Sequence, residues 1–161
     1  MQKGFASLEI IFAVVIISIL ATVAVPNAAN FFDRAALDYE QKKLYSELQY
    51  LRTLNRTDTV NSTGMNMANF FSSKITVNQR AMLEINRDTN SYRILREEKP
   101  IREVHYFSNG VQFSKETNVP ARIYFDTSGY SNVTGASIVL ASRRGVKAKI
   151  VFDSVGRLRG D

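Results

Sequence analysis

"KGFASLEIIFAVVIISILATVAVP", Lys3 to Pro26, is the stretch that decides the fold. From residue 5 to residue 25 it holds 21 residues that are apolar except for two serines, one threonine and one acid, Glu9. A helix of this length spans about 30 Å, the thickness of the hydrocarbon core of a bilayer. A carboxylate inside such a segment is unfavourable in lipid, so Glu9 indicates a functional contact.

The residues alone leave three interpretations of this segment open. A secretory signal peptide would need a small-residue cleavage site, which "ATVA" or "PNAA" could supply. A plain membrane anchor fits the length but leaves Glu9 unexplained. Cleavage between Gly4 and Phe5 would instead create an α-amino group four residues from Glu9. Glu9 of one subunit could then neutralise the terminal amine of its neighbour in a bundle of such helices.

The stretch "KGFASLE" resembles the prepilin peptidase signal of type IV pilins and pseudopilins. That signal is a short basic leader ending in Gly, then Phe, then Glu as the fifth mature residue, before an apolar run. The resemblance implies a leader at residues 1–4 removed by prepilin peptidase between Gly4 and Phe5, N-methylation of Phe5, and assembly roles for Glu9 and Pro26. Because proline removes a backbone donor, we expect Pro26 to kink or break the helix.

The residues after the apolar run predict that the helix continues with a different character. Leucines recur there at spacings of seven, four and three, at Leu37, Leu44, Leu48 and Leu51. We therefore expect a transmembrane and assembly helix at residues 5–30 and an amphipathic helix at residues 31–56. The next stretch, Arg56 to Asn66, has no periodicity and is expected to be a polar linker.

The rest of the chain, residues 74–161, predicts β-structure. Short segments rich in Val, Ile, Tyr and Phe alternate with turn signals, and "SRRGVK" at residues 142–147 is expected to form a hairpin turn. The expected fold class is α+β: a long N-terminal helix, half in the membrane and half amphipathic, packed on an antiparallel sheet or sandwich. The globular part would cover residues 31–161. The eight expected strands are "KITVNQ", "AMLEIN", "SYRILR", "REVHYF", "VQFS", "RIYFDT", "SIVLASR" and "VKAKIVFD".

Composition argues against most kinds of catalytic site. The chain has no cysteine, which removes disulfides, thiol catalysis and cysteine-based metal sites. Its only histidine, His105, falls in an apparent strand and is expected to be structural. No nucleotide-binding, zinc-binding or hydrolase motif is present. We therefore expect no catalytic residue, metal or cofactor, and a membrane-anchored enzyme is the least favoured alternative.

The C-terminal half resembles the GspH/FimT group of minor pilins and pseudopilins. The resemblance rests on "IYFDTSGYS", with Phe125 and Gly129, and on "IVLASRRGVKAKIVFDSVGRLR", with Phe152, Gly156 and Arg157. It implies a subunit of a type IV pilus or type II secretion filament, acting in assembly or priming. Such a protein crosses the bacterial inner membrane once, has a periplasmic globular domain, and has other pilin subunits and prepilin peptidase as partners.

The same resemblance raises double-stranded DNA as a further partner. In some FimT-like proteins a C-terminal Gly-Arg-x-Arg motif is associated with DNA capture during transformation. The net charge of this chain is +6, and six cations but only two acids lie between residues 137 and 161. These cations could contact several phosphates, or they could be solvated side chains on an edge hairpin of a secretion pseudopilin that binds no DNA. The candidate DNA-binding residues are Arg143, Arg144, Lys147, Lys149, Arg157 and Arg159.

Overall fold

One long helix and a set of short antiparallel strands make up the structure. The computed structural model describes residues 3–63 and 80–160, with side chains from Glu9 to Arg56 and from Arg80 to Gly160. The helix is α1 (Lys3–Thr63). The strands are β1 (Met82–Asn86), β2 (Ser91–Arg96), β3 (Lys99–Pro100), β4 (His105–Tyr106), β5 (Gln112–Phe113), β6 (Arg122–Tyr124), β7 (Ala136–Ala141), β8 (Lys147–Phe152) and β9 (Leu158–Gly160).

The two halves of α1 have opposite surroundings. The helix has 61 residues, which corresponds to a length of about 90 Å. Every side chain from residue 9 to residue 28 is exposed, including all the large apolar ones. The four leucines of the amphipathic stretch are at most 3% exposed. The predicted division into an apolar, uncovered half and an amphipathic, packed half is therefore confirmed.

Two predictions about α1 need correction. The helix is continuous through Pro26, because proline removes only one backbone hydrogen bond and the turns on either side keep theirs. The helix also extends past Arg56 to Thr63, into the stretch for which the sequence predicts a linker. Residues 57–63 contain neither proline nor glycine, so nothing in them terminates a helix. The next residue in the sequence is Gly64, a type that commonly follows the last residue of a helix.

The strands form two antiparallel sheets. In the first sheet the order is β3-β2-β1-β6, and β4 pairs with the same edge of β2 as β3 does. In the second sheet the order is β5-β7-β8-β9. The "SRRGVK" turn joins β7 to β8, and Ala141 lies opposite Lys147 where the pairing begins. The α+β fold class and this hairpin are thus confirmed.

Most of the predicted strands are present in the described residues. Seven of the eight segments contain a strand, and "KITVNQ", residues 74–79, lies outside the described part of the chain. Two further strands, β3 and β9, are not predicted. Each has only two or three residues and includes proline or glycine, which are poor strand formers, so the sequence carries no β signal there.

The hydrophobic core lies between α1 and both sheets. Leu44, Leu48 and Leu51 of the helix pack in one cluster with residues of each sheet. The fully buried partners are Leu83, Ile94 and Ile123 from the first sheet and Ile138, Leu140, Ile150 and Phe152 from the second. Since each sheet buries its inner face against the same helical stripe, the globular part depends on the second half of α1.

A buried amide holds the far end of this packed half against the first sheet. The Asn55 side chain donates to the carbonyl oxygens of Ala81, at 2.9 Å, and Phe125, at 3.1 Å. It also accepts from the backbone N–H of Ala81 at 2.9 Å. These bonds satisfy backbone groups that precede β1 and follow β6, so they fix the position of that sheet along the helix.

Candidate functional site

The uncovered half of α1 is long and apolar enough to cross a membrane. Its two described hydroxyl groups near the middle are satisfied within the helix. Ser18 donates to the carbonyl oxygen of Val14 and Thr22 to that of Ile19, each at 2.7 Å. Glu9 is exposed and makes no ion pair with any described residue. Glu9 is therefore the charged group of this half that has no ion partner among the described residues.

The predicted processing residues lie at the start of α1. Gly4 and Phe5 are helical, and their side chains are outside the described set. The structure thus puts the proposed cleavage position four residues before Glu9 on the same helix, which is the spacing of one helical turn. Cleavage and methylation there stay predictions.

Four of the six candidate DNA-binding residues share the outer face of the second sheet. Val151 of β8 lies opposite Arg159 of β9, so their side chains point to the same face. Lys147 and Lys149 are on that face by the alternation along β8. Arg157, two residues before Arg159, follows the same alternation. We call these residues, Lys147, Lys149, Arg157 and Arg159, the basic face; all four are exposed.

Two acids partly balance the basic face. Lys147 pairs with Glu116. Arg157 Nε lies 3.9 Å from the Asp153 carboxylate, and the same carboxylate accepts the backbone N–H of Arg157 at 2.7 Å. That backbone bond is the main reason why the pKa of Asp153 is lowered. Lys149 and Arg159 have no ion pair with a described residue, so the face keeps a net positive charge.

The other two candidates, Arg143 and Arg144, lie in the β7–β8 turn. Their side chains contact other parts of the protein and do not belong to the basic face. Arg144 turns toward the helix, where Nε lies 3.2 Å from the Asp33 carboxylate and the guanidinium also donates to Asn30. The Arg143 side chain lies over Gly110, so closely that a Cβ there would be 2.5 Å from Arg143 Nε. The six cations therefore do not form one patch, and Arg144 connects the turn to α1.

A buried acid that the sequence does not single out connects the helix to the first sheet. Glu40 is fully buried. One of its carboxylate oxygens contacts His105 Nε2 at 2.7 Å, and the other accepts from the hydroxyl and backbone N–H of Ser108 at 2.7 and 3.1 Å. The sequence carries a signal for this burial, because Glu40 follows Leu37 by three residues and precedes Leu44 by four and so falls within the leucine stripe.

The partners of His105 define its tautomer. Lys43 Nζ lies 3.1 Å from His105 Nδ1, and a lysine ammonium can only donate, so Nδ1 accepts. Nε2 then carries the proton and donates it to Glu40. Burial raises the pKa of Glu40, but the hydrogen bonds from His105 and Ser108 outweigh it and leave the pKa below its ordinary value. His105 thus occupies a structural position, held between two residues of α1.

Comparison with solved structures identifies the fold. The minor pseudopilin EpsH from the type 2 secretion system of Vibrio cholerae resembles this chain with a TM-score of 0.54 and 13% sequence identity, over 78% of this chain and 95% of that one. The chain has the fold of a minor pseudopilin. No family model and no curated protein matches the sequence. At this level of identity the likeness concerns the fold, with its helix packed on antiparallel sheets.

The Glu40 network predicts a specific dependence of stability on pH. Because the folded-state pKa of Glu40 is lowered below 4.5, its ordinary value, the ionised carboxylate stabilises the fold above about pH 5, and this stabilisation is lost as the pH falls through the folded-state pKa. We expect Glu40→Gln to lower the free energy of unfolding at pH 7 by about 1–3 kcal/mol. The difference from the unsubstituted chain should shrink as the pH falls toward 3.

The measurement is urea unfolding of the full chain in detergent micelles, followed by circular dichroism at a series of pH values. Asp38→Asn is the matched control, since Asp38 is exposed and its ion pair among the described residues is with the exposed Lys42 one turn away. An exposed pair of this kind contributes about 0–1 kcal/mol. A Glu40→Gln difference that stays constant from pH 7 to pH 3 would contradict the assignment.

Proposed function

We propose that this chain is a minor pilin or pseudopilin: a subunit of a type IV pilus or type II secretion filament that acts in filament assembly or priming. Prepilin peptidase would remove residues 1–4 and methylate Phe5. The first half of α1 would span the bacterial inner membrane once, with the globular part on the periplasmic side. The observation that carries the proposal is the uncovered apolar half of α1 with one charged residue, Glu9, near its start.

An assembly contact accounts for Glu9 better than an anchor does. A charged side chain well inside a membrane helix costs about 2.5–3.5 kcal/mol on insertion scales. Glu9 makes no ion pair within the described part of the chain. The terminal amine that cleavage before Phe5 would create on a neighbouring subunit has the opposite charge and the same need for a partner. The pairing of the two groups would favour helix bundles over isolated helices.

We propose a structural rather than an enzymatic role. The described residues contain no group of three or more side chains that could hold a metal ion. His105 is engaged on both ring nitrogens, by Glu40 and by Lys43. Histidine is the most common residue in acid–base catalysis. Here both ring nitrogens of His105 are occupied by hydrogen bonds to residues of α1.

Double-stranded DNA is a second proposed partner, through the basic face. The face follows β8, whose six residues extend about 20 Å, and it ends at the Gly156-Arg157-x-Arg159 motif. Side chains spaced along one strand can reach successive phosphates without reading bases, so binding would depend strongly on salt and weakly on sequence. The alternative is a secretion pseudopilin in which these cations only keep the surface solvated.

Removal of the charge of Glu9 should disrupt assembly without affecting the fold. We expect Glu9→Gln to abolish co-purification of the chain with other pilin-type subunits from detergent extracts of its native cells, because the neutral amide cannot balance a terminal amine. The matched control is Ser18→Ala on the same segment, whose hydroxyl bonds only its own helix. The assembly role would be refuted by a Glu9→Gln chain that is recovered with its partners as efficiently as the Ser18→Ala chain.

Replacement of the two C-terminal arginines should weaken DNA binding. Full-length chain in detergent micelles would be titrated with fluorescent duplex DNA at several salt concentrations. Each lost phosphate contact lowers the slope of log affinity against log salt by about 0.9. We therefore expect Arg157→Ala, Arg159→Ala to lower that slope by about 1.8.

The control for charge is the double variant Arg56→Ala, Lys99→Ala, which removes two exposed cations away from the basic face. If both double variants lower the slope equally, binding depends on net charge and not on this face. If the unsubstituted chain does not bind at low salt, the DNA proposal fails, whereas the assembly proposal is unaffected.

A further inference from the structure

The β7–β8 turn lies at the end of the globular part that faces the apolar half of α1. Arg144 in this turn contacts Asn30 and Asp33 of the helix. Further along, the Gln41 side chain donates to the backbone oxygen of Lys149 at 3.0 Å. β8 therefore runs beside α1 in the same direction, and the turn is its end nearest the membrane segment. Asp33 follows Val25 by eight residues, about 12 Å along the helix axis.

Exposed aromatic side chains accompany the turn at this level. Phe31 and Phe32 are 67% and 68% exposed, and their rings meet edge to face with centroids 5.9 Å apart. Val146, at the turn itself, is also exposed. Phenylalanine, with Trp and Leu, forms the apolar face of helical segments that lie at the boundary between headgroups and acyl chains. No described residue covers these two rings.

A cleft with an unpaired cation lies beside the aromatic pair. It has a volume of about 480 Å³ and is lined by Phe32, Asp33, Ala35, Ala36, Asn109 and Arg143. The Asp33 carboxylate pairs with Arg144, the residue that follows Arg143 in the β7–β8 turn. Arg143 makes no ion pair with a described residue. The cleft thus places Phe32 and two alanines beside Arg143, which has no ion pair with a described residue, and beside Asp33, whose charge Arg144 balances.

We propose that this membrane-side surface, Phe31, Phe32, Arg143 and Val146, docks the globular part on the anionic phospholipid headgroups of the membrane that α1 spans. The proposal rests on the membrane insertion proposed above. Headgroups extend about 5–8 Å beyond the hydrocarbon core on each side. Asp33, which lines the cleft together with Arg143, lies about 12 Å beyond the end of the apolar segment, so an arginine side chain beside it can extend toward the headgroups. At physiological salt, attraction between exposed charges persists over about 8 Å.

This docking would set the orientation of the subunit before assembly. Arg143 binds a lipid phosphate, and Phe31 and Phe32 enter the headgroup layer beside it. The basic face, on the outer side of the same strand, then stays directed away from the helix and open to the periplasm. The inference concerns residues that the DNA proposal does not need, so the two can succeed or fail separately.

The absence of cysteine allows a direct test with single-cysteine probes. Val146→Cys would report from the membrane-side turn, and Val155→Cys, which is also exposed and follows the opposite end of β8, would be the matched control. Each full-length chain would carry a fluorophore and be reconstituted into vesicles of phosphatidylcholine alone or with phosphatidylglycerol. Quenching by headgroup spin-labelled lipid measures how near each probe lies to the membrane surface.

We expect strong quenching at position 146 in vesicles with phosphatidylglycerol, less in phosphatidylcholine, and little at position 155 in either. Adding Arg143→Ala should lower the ratio of docked to undocked chains about fivefold, the effect of one arginine near an anionic surface. The charge control is Lys99→Ala, on an exposed strand of the first sheet. It should have no effect.

Flotation of the same vesicles separates failure of the inference from failure of the proposed function. A chain that does not float with either vesicle type contradicts membrane insertion and with it the docking. A chain that floats with both types but shows equal quenching at positions 146 and 155 contradicts the docking alone. Quenching that Arg143→Ala leaves unchanged would also overturn it, since the phosphate contact would then not exist.

Discussion

The continuity of α1 is the constraint on which the rest of the structure depends. One helix of 61 residues carries two surfaces that need different surroundings: an apolar half that no described residue covers and a leucine stripe that both sheets bury. The leucine stripe is buried by the sheets, so the globular part stays on the second half of the helix, whereas no described residue covers the apolar half.

Polar contacts set the position of the sheets along the helix. Arg144 contacts Asp33 at the end nearest the apolar half, Glu40 contacts His105 in the middle, and Asn55 contacts Ala81 at the far end. Packing of a uniform leucine stripe would tolerate small shifts along the axis, whereas a buried carboxylate or amide left without its partner would not. The direction of β8, and hence of the basic face, follows from the contact of Arg144 with Asp33 and from the bond of Gln41 to the backbone oxygen of Lys149.

The sequence predicted what depends on periodicity and missed what depends on tertiary contact. The leucine spacing, the strand alternation and the "SRRGVK" turn are local signals, and the structure contains the elements that they predict. The break expected at Pro26 is absent and the short β9 was not predicted, because neighbouring turns and a pairing strand outweigh weak local preference there. The six C-terminal cations looked like one group in the sequence. The structure divides them, since only the alternation along β8 and β9 and the contact of Arg144 with α1 decide which face each one occupies.

The central claim is that this chain is processed as a pilin-like subunit, and the mass of its N-terminus in native membranes tests that claim most directly. The account predicts a mature chain that begins at Phe5 and carries one added methyl group on its α-amine, with no unmethylated Met1 form in assembled material. An intact Met1 terminus would contradict the account. So would a terminus beyond Pro26, because the apolar half and Glu9 would then have been removed as a signal peptide.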